Sequence, residues 1–117
     1  MNTLAPIGIS TYSRISHLRQ TINALSKNHL AEQSILYIFS DAPRKGDEEK
    51  VKMVRNYAET INGFKEINIF YRQENNRVKN NRGGIQYLLH NFGKCIFLEE
   101  DIITAPGFLS FMNKALN

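Results

Sequence analysis

The sequence predicts an α/β fold, a mainly parallel sheet with helices on both faces. Three observations carry this. Short apolar runs alternate with stretches whose apolar residues recur every three or four positions. The alternation repeats along the whole chain, the pattern of successive strand–helix units. The run Ser34–Phe39 is continuously β-branched and aromatic, as expected of a strand covered on both faces.

Each element has its own signature. Pro6–Thr11 reads as the first strand. Arg14–Asn28 carries Ile15, Leu18, Ile22 and Leu25 on one helical face. Ser34–Phe39 is the second strand. Asp47 is placed to cap the next helix, whose buried stripe is Val51, Val54, Tyr57, Ala58 and Ile61 and which Gly63 ends. Glu66–Arg72 is a third strand, its charged ends and Asn68 suiting an edge. The polar, basic stretch QENNRVKNNRGG reads as a loop, with Gly83-Gly84 as a helix entry. Ile85, Leu88, Leu89 and Phe92 mark a short helix closed by Gly93. Cys95–Leu98 is the fourth strand. Pro106 suits the first turn of a last helix that buries Phe108, Leu109, Met112 and Leu116. The result is a Rossmann-like βαβαβαβα order with right-handed crossovers.

Composition narrows the class. The chain has 117 residues, enough for one domain with a core of its own. Hydrophobic residues make up 42% and charged residues 22%, which excludes a disordered or fibrous chain. No apolar stretch approaches the ~20 residues of a membrane span, and the N-terminus has no signal-peptide pattern. The single cysteine, Cys95, lies in an apolar run and reads as a core residue in a reducing compartment. A net charge of +4 favours anionic ligands but is too small to argue nucleic acid. His17, His29 and His90 have no metal-ligand spacing, and neither a Gly-rich phosphate loop nor a serine elbow is present.

In parallel sheets ligands bind at the carboxyl ends of strands, so the residues after each strand are the candidates. After the first comes Arg14. A cation at a helix N-terminus opposes the helix dipole, so it either awaits an anion or a planar base or points into solvent. After the second comes Asp41, either an acceptor for a base N–H or ribose hydroxyl or an ordinary turn aspartate. Arg77, Lys79 and Arg82 follow the third strand and can lie against a diphosphate or in water. After the fourth come Glu99, Glu100 and Asp101. Three consecutive acids repel one another unless a cation or hydrogen-bond donors offset them. In an extended segment Glu99 and Asp101 share one side and Glu100 takes the other. Two carboxylates on one side suit a hard divalent ion. The competing reading is an acidic cap paired with nearby Lys or Arg.

The segments PIGISTYSR, YIFSDAP and above all IFLEEDIITAPGFLSFM resemble the nucleotide-binding half of a GT-A-fold glycosyltransferase. The similarity is to the family 2 group and, more closely, to N-acetylglucosaminyltransferase I and its relatives. The resemblance implies an inverting, metal-dependent transferase that takes a sugar from a nucleotide-sugar, a UDP-sugar, to a glycan or lipid-linked acceptor. It implies that Asp101 and Glu99 hold Mn2+ or Mg2+, that Glu100 lies near the ribose, and that Arg14 and Asp41 contact the uridine. The family's triplet usually has aspartate in the middle, where this chain has Glu100. Nothing carries over onto the basic stretch. Residues 1–117 are thus expected to form one nucleotide-sugar-binding domain that stops before the acceptor-binding half. That half would supply the catalytic base, so these residues alone should bind donor weakly and transfer negligibly. The family's setting suggests polysaccharide synthesis at the cytoplasmic side, peripheral to the membrane.

Other readings are a non-catalytic nucleotide-binding or assembly module, with a homodimer formed through the face the missing half would cover, and a receiver-like signalling domain. The latter lacks its acidic pair after the first strand. A nucleic-acid-binding role is disfavoured, because the basic residues are not interleaved with stacking aromatics.

Overall fold

The computed structural model describes residues 3–117. Strands β1 (Ile7–Thr11), β2 (Ile35–Ser40), β3 (Glu66–Tyr71) and β4 (Ile96–Glu99) form one sheet in the order β3-β2-β1-β4. Every pairing is parallel. Helices α1 (Ile15–Ser26), α2 (Glu48–Ala58), α3 (Arg77–Phe92) and α4 (Phe108–Leu116) alternate with the strands.

Strand alternation sorts the core into two faces. On one, Ile7, Ile9, Leu36, Ile38, Ile96 and Leu98 pack beneath Leu18, Ile22 and Leu25 of α1, Val54 and Ala58 of α2 and Leu109 of α4. On the other, Tyr37 and Phe39, flanked by Ile35, Cys95 and Phe97, meet Leu88 of α3. This second face is aromatic: Phe39 stacks on Phe70 at 5.5 Å between ring centroids, and Tyr87 of α3 meets Phe70 edge-on at 5.0 Å. Burial raises the pKa of the Cys95 thiol, in keeping with a packing role.

Several expectations are corrected. The stretch from Arg77 onward is helix rather than loop, so α3 has 16 residues. Asn76 caps it, its side chain accepting from the Lys79 N–H at 2.9 Å. Gly84 is an interior helical residue against the Phe39 ring, where a Cβ would come within 2.9 Å of Cδ2. Gly93 closes the helix in the left-handed region, as its sequence position predicts. Gly63 does not end α2, which stops at Ala58; Gly63 turns the chain later at φ +94°. Asp47 occupies the N-cap position of α2, but its carboxylate accepts from the Tyr12 hydroxyl at 2.7 Å instead of capping. In α4, Leu116 is 40% exposed. Asn113 is buried beside Leu109; its Oδ1 accepts from the Ala5 N–H at 2.7 Å and its Nδ2 donates to the Leu109 carbonyl.

The strand order has a functional consequence. β2 and β3 extend the sheet on one side of β1 and β4 on the other, so strand order reverses at β1. The loops leaving these strands part there and leave a crevice at their carboxyl ends.

Candidate functional site

A pocket of about 410 Å³ occupies that crevice. Its lining comes from the end of β1 and the start of α1 (Ser10 to Arg14), from Asp41 and Arg44 after β2, from Asn75 and the first turn of α3, and from Glu99, Glu100 and Asp101 after β4. All four residues that sequence reading assigned to donor binding (Arg14, Asp41, Glu99 and Glu100) and its metal candidates (Asp101 and Glu99) therefore border one cavity. Residues more than 85 positions apart meet because three parallel crossovers return every strand end to the same edge of the sheet.

The acidic wall is built by a turn. The extended backbone stops at Glu99, and the Ile102 N–H donates back to the Glu99 carbonyl at 3.3 Å. The alternation expected of an extended triplet is thus replaced by a bend. Glu99 and Asp101 are exposed, whereas Glu100 is half-buried and turned toward β1. There its Oε2 accepts from the Tyr12 N–H at 2.9 Å, and its own carbonyl accepts from the buried Thr21 hydroxyl at 2.6 Å. Desolvation raises the Glu100 pKa above the usual 4.5, opposed by the Tyr12 N–H, Arg14 and His17. A raised carboxyl pKa means the folded state holds the proton more tightly than the unfolded chain, so stability falls as pH rises through and above 4.5. Glu100→Gln keeps the acceptor for Tyr12 and removes the charge. Its thermal midpoint is expected to exceed that of the parent at pH 7, with the difference shrinking toward pH 4.5. An equal difference at both pH values would contradict this.

The same pocket is lined by cations. Arg14 is the N-cap of α1; it is exposed, and its guanidinium forms no ion pair among the described residues. Arg77 begins α3 and reaches across to Glu99, Nη2 to Oε1 3.5 Å, with both side chains largely in water. A pair so exposed is worth at most about 1 kcal/mol and yields readily to a competing ligand. The N-cap of α1 and the start of α3 border the pocket, bringing the positive ends of two helix dipoles near it as well as these arginines.

Asp41 also lines the pocket but is only 3% exposed. Its Oδ1 accepts from the Ala42 N–H at 2.9 Å and the Asn76 N–H at 3.0 Å. Its Oδ2 accepts from Asn75 Nδ2 at 3.3 Å, and Arg72 Nε lies 3.7 Å from Oδ1. On the far side of the sheet ends, Arg55 donates to Ser40 Oγ and to the carbonyls of Ser40, Asp41 and Arg72. Tyr12 closes the rim: besides bonding Asp47, its hydroxyl accepts from the Arg44 N–H at 3.0 Å.

Among the described residues no three His, Cys, Asp or Glu side chains converge as a metal cage. The exposed Glu99–Asp101 pair instead matches the one or two carboxylates by which magnesium-like ions bind when phosphate oxygens and waters complete the shell. The residues fit an ion shared with an anionic ligand. Sequence reading missed Tyr12, Arg44, Asn75, Asn80 and Asn81 as pocket residues. The signal that could have found the last two is Asn76, a strong N-cap residue type directly before Arg77. Asn80 then falls one turn into the helix, where its Nδ2 donates to the Phe39 carbonyl at 2.9 Å.

No protein-family model and no curated protein matches the sequence. Among solved structures, the crystal structure of S. aureus TarS, a glycosyltransferase, matches with a TM-score of 0.67 over 94% of this chain at 11% sequence identity. The matched region is 19% of TarS, so this chain spans about a fifth of that protein's length. Likeness at this identity is likeness of fold. The domain is α/β and Rossmann-like, consistent with the nucleotide-binding half of a GT-A fold. Among the described residues no helix is long and apolar enough to cross a membrane.

Proposed function

We propose that this chain is the donor-binding domain of a glycosyltransferase, taking a nucleotide-sugar, preferably a UDP-sugar, together with Mn2+ or Mg2+. The observation that carries the reading is one crevice lined by both signs of charge: Glu99 and Asp101 after β4, and Arg14, Arg44 and Arg77 from the other strand ends, with Arg77 Nη2 3.5 Å from Glu99 Oε1. A purely acidic wall would suit a cation, and a purely basic one an anion. Both together suit a diphosphate bridged to a divalent ion.

In this reading Asp101 and Glu99 hold the ion, and a bound divalent ion neutralises charge on the departing nucleotide. Arg77 binds phosphate oxygens as a planar, permanently charged donor, and Arg14 contacts the uridine. The exposed Arg77–Glu99 pair leaves Arg77 able to turn to a phosphate oxygen, and Glu99 would then be one of the two carboxylates available to hold the ion. Glu100, fixed on the Tyr12 N–H, offers its second oxygen to the ribose. Asp41 Oδ2, with one internal donor, keeps acceptor capacity for a base N–H. The base that activates the acceptor hydroxyl is assigned to a part of the enzyme outside these residues, as are the glycan or lipid-linked acceptor and a cytoplasmic, membrane-peripheral setting.

The test is a calorimetric titration of UDP with and without Mn2+, repeated on Asp101→Ala. Metal-dependent binding that drops at least tenfold in the variant is expected, the loss of roughly 1.4 kcal/mol or more. Binding indifferent to both metal and Asp101 would refute the metal-bridged reading.

A further inference from the structure

We propose that Asp41 is a positioning residue: its carboxylate holds the first turn of α3, and with it Arg77, against the anion end of the pocket. The sequence places Asp41 just after β2 as a group that could face a nucleoside. The structure shows most of its capacity directed inward. One oxygen, Oδ1, accepts from two backbone N–H groups belonging to different loops, Ala42 after β2 and Asn76 after β3. Asn76 is the residue whose side chain caps α3. Asn75, its neighbour, donates to Asp41 Oδ2 and to the Ala42 carbonyl at 2.9 Å, fastening the same two loops a second time. The carboxylate itself cannot drift. Arg55 grips the backbone on either side of it, at Ser40 and Asp41, and ties both to Arg72 at the end of β3.

The geometry forms a chain of short links. The β2–β3 ladder ends at the Ser40–Tyr71 pair, and the two strands then diverge. Asp41 sits in that fork and bridges it. The far side of the bridge is the cap of α3, and the next residue is Arg77, which pairs with Glu99. Charge-assisted hydrogen bonds to backbone N–H groups are among the stronger ones, and burial at 3% exposure shields them from water. Asp41 therefore sets where the first helical turn and Arg77 stand, without itself touching a phosphate.

Two variants separate this role from nucleoside contact. Asp41→Ala removes the bridge. Asp41→Asn keeps a carbonyl oxygen for the Ala42 and Asn76 N–H groups and removes the charge. Amide hydrogen exchange, which needs no ligand, is the first readout. In Asp41→Ala, exchange at residues 76–81 is expected to accelerate at least tenfold while β1, β2 and α1 keep their protection, and Asp41→Asn is expected to restore most of it. Uniform acceleration throughout the sheet, or none at 76–81, would overturn the proposal.

Inorganic pyrophosphate, which has no nucleoside, is the second probe. This arm rests on the donor-binding reading above. Affinity is expected to fall roughly five- to tenfold in Asp41→Ala and to recover in Asp41→Asn. An unchanged pyrophosphate affinity in Asp41→Ala, with weakened UDP binding, would show that Asp41 acts through the nucleoside contact alone and would overturn the positioning role. Failure of the parent protein to bind pyrophosphate would count against the donor-binding reading alone, because the exchange result stands without it.

Discussion

Gly84→Ala is expected to destabilise the fold by about 1–3 kcal/mol, whereas Gly83→Ala, one residue earlier in the same helix, is expected to stabilise it by up to about 1 kcal/mol. Both glycines lie inside α3, where glycine costs backbone entropy and alanine does not. At Gly83 a Cβ meets nothing within 4 Å, so the entropy gain is free. At Gly84 it would meet Phe39 Cδ2, Cγ and Cε2 at 2.9, 3.0 and 3.1 Å. Phe39 has nowhere to retreat, since it is buried and ringed by Tyr37, Phe70, Tyr87 and Phe97. The helix must then lift from the sheet or the ring must leave its packing. Because α3 also carries Arg77, the site loosens with the core. Urea midpoints shifting in opposite directions at unchanged slope would bear this out; a destabilised Gly83→Ala or a neutral Gly84→Ala would contradict the close approach of α3 to β2.

Asn28→Ala is expected to cost about 2–3 kcal/mol. Asn28 follows α1 and is only 6% exposed. Its Oδ1 accepts from the Leu109 N–H at 2.9 Å, and its Nδ2 donates to Thr104 Oγ1 at 3.1 Å and to the Ala24 carbonyl at 3.2 Å. One side chain thereby ties the middle of the segment after the acidic triplet and the first turn of α4 to the end of α1, helped by the His29 N–H donating to the Pro106 carbonyl. Truncation leaves a buried N–H and a buried hydroxyl with no partner, the costly outcome for a hydrogen bond. Chemical denaturation of the variant measures it. A loss below about 0.5 kcal/mol, the level of an ordinary surface substitution, would mean that water replaces all three bonds.

The sequence and the structure agree closely along the apolar elements. The stripe Leu18, Ile22 and Leu25 is buried as its spacing requires, the run ending in Ile38 and Phe39 is covered on both faces, and β3, with its charged ends, is an edge strand. These are local patterns, and the hydrophobic effect reads them locally. The start of α3 was illegible for the complementary reason. Apart from the exposed Val78, its first eight residues, RVKNNRGG, are polar or glycine, and no periodic apolar stripe announces a helix. What makes them helical is tertiary: the Asn76 cap is held by Asp41, Asn80 bonds a carbonyl of β2, and Gly84 docks on an aromatic ring.

The same division runs through the site. By itself the sequence determined the α/β class, the four strands, and the candidates Arg14, Asp41 and the acidic triplet, because strand ends and charge clusters are properties of neighbouring residues. Only the tertiary structure decided that these residues share one cavity, that Glu100 turns inward to Tyr12 while Glu99 meets Arg77, and that Asp41 spends its oxygens on two loops. Those facts depend on strand order and on which backbone N–H groups the sheet brings within hydrogen-bond reach, and pairings between residues up to 88 positions apart leave no trace in local spacing.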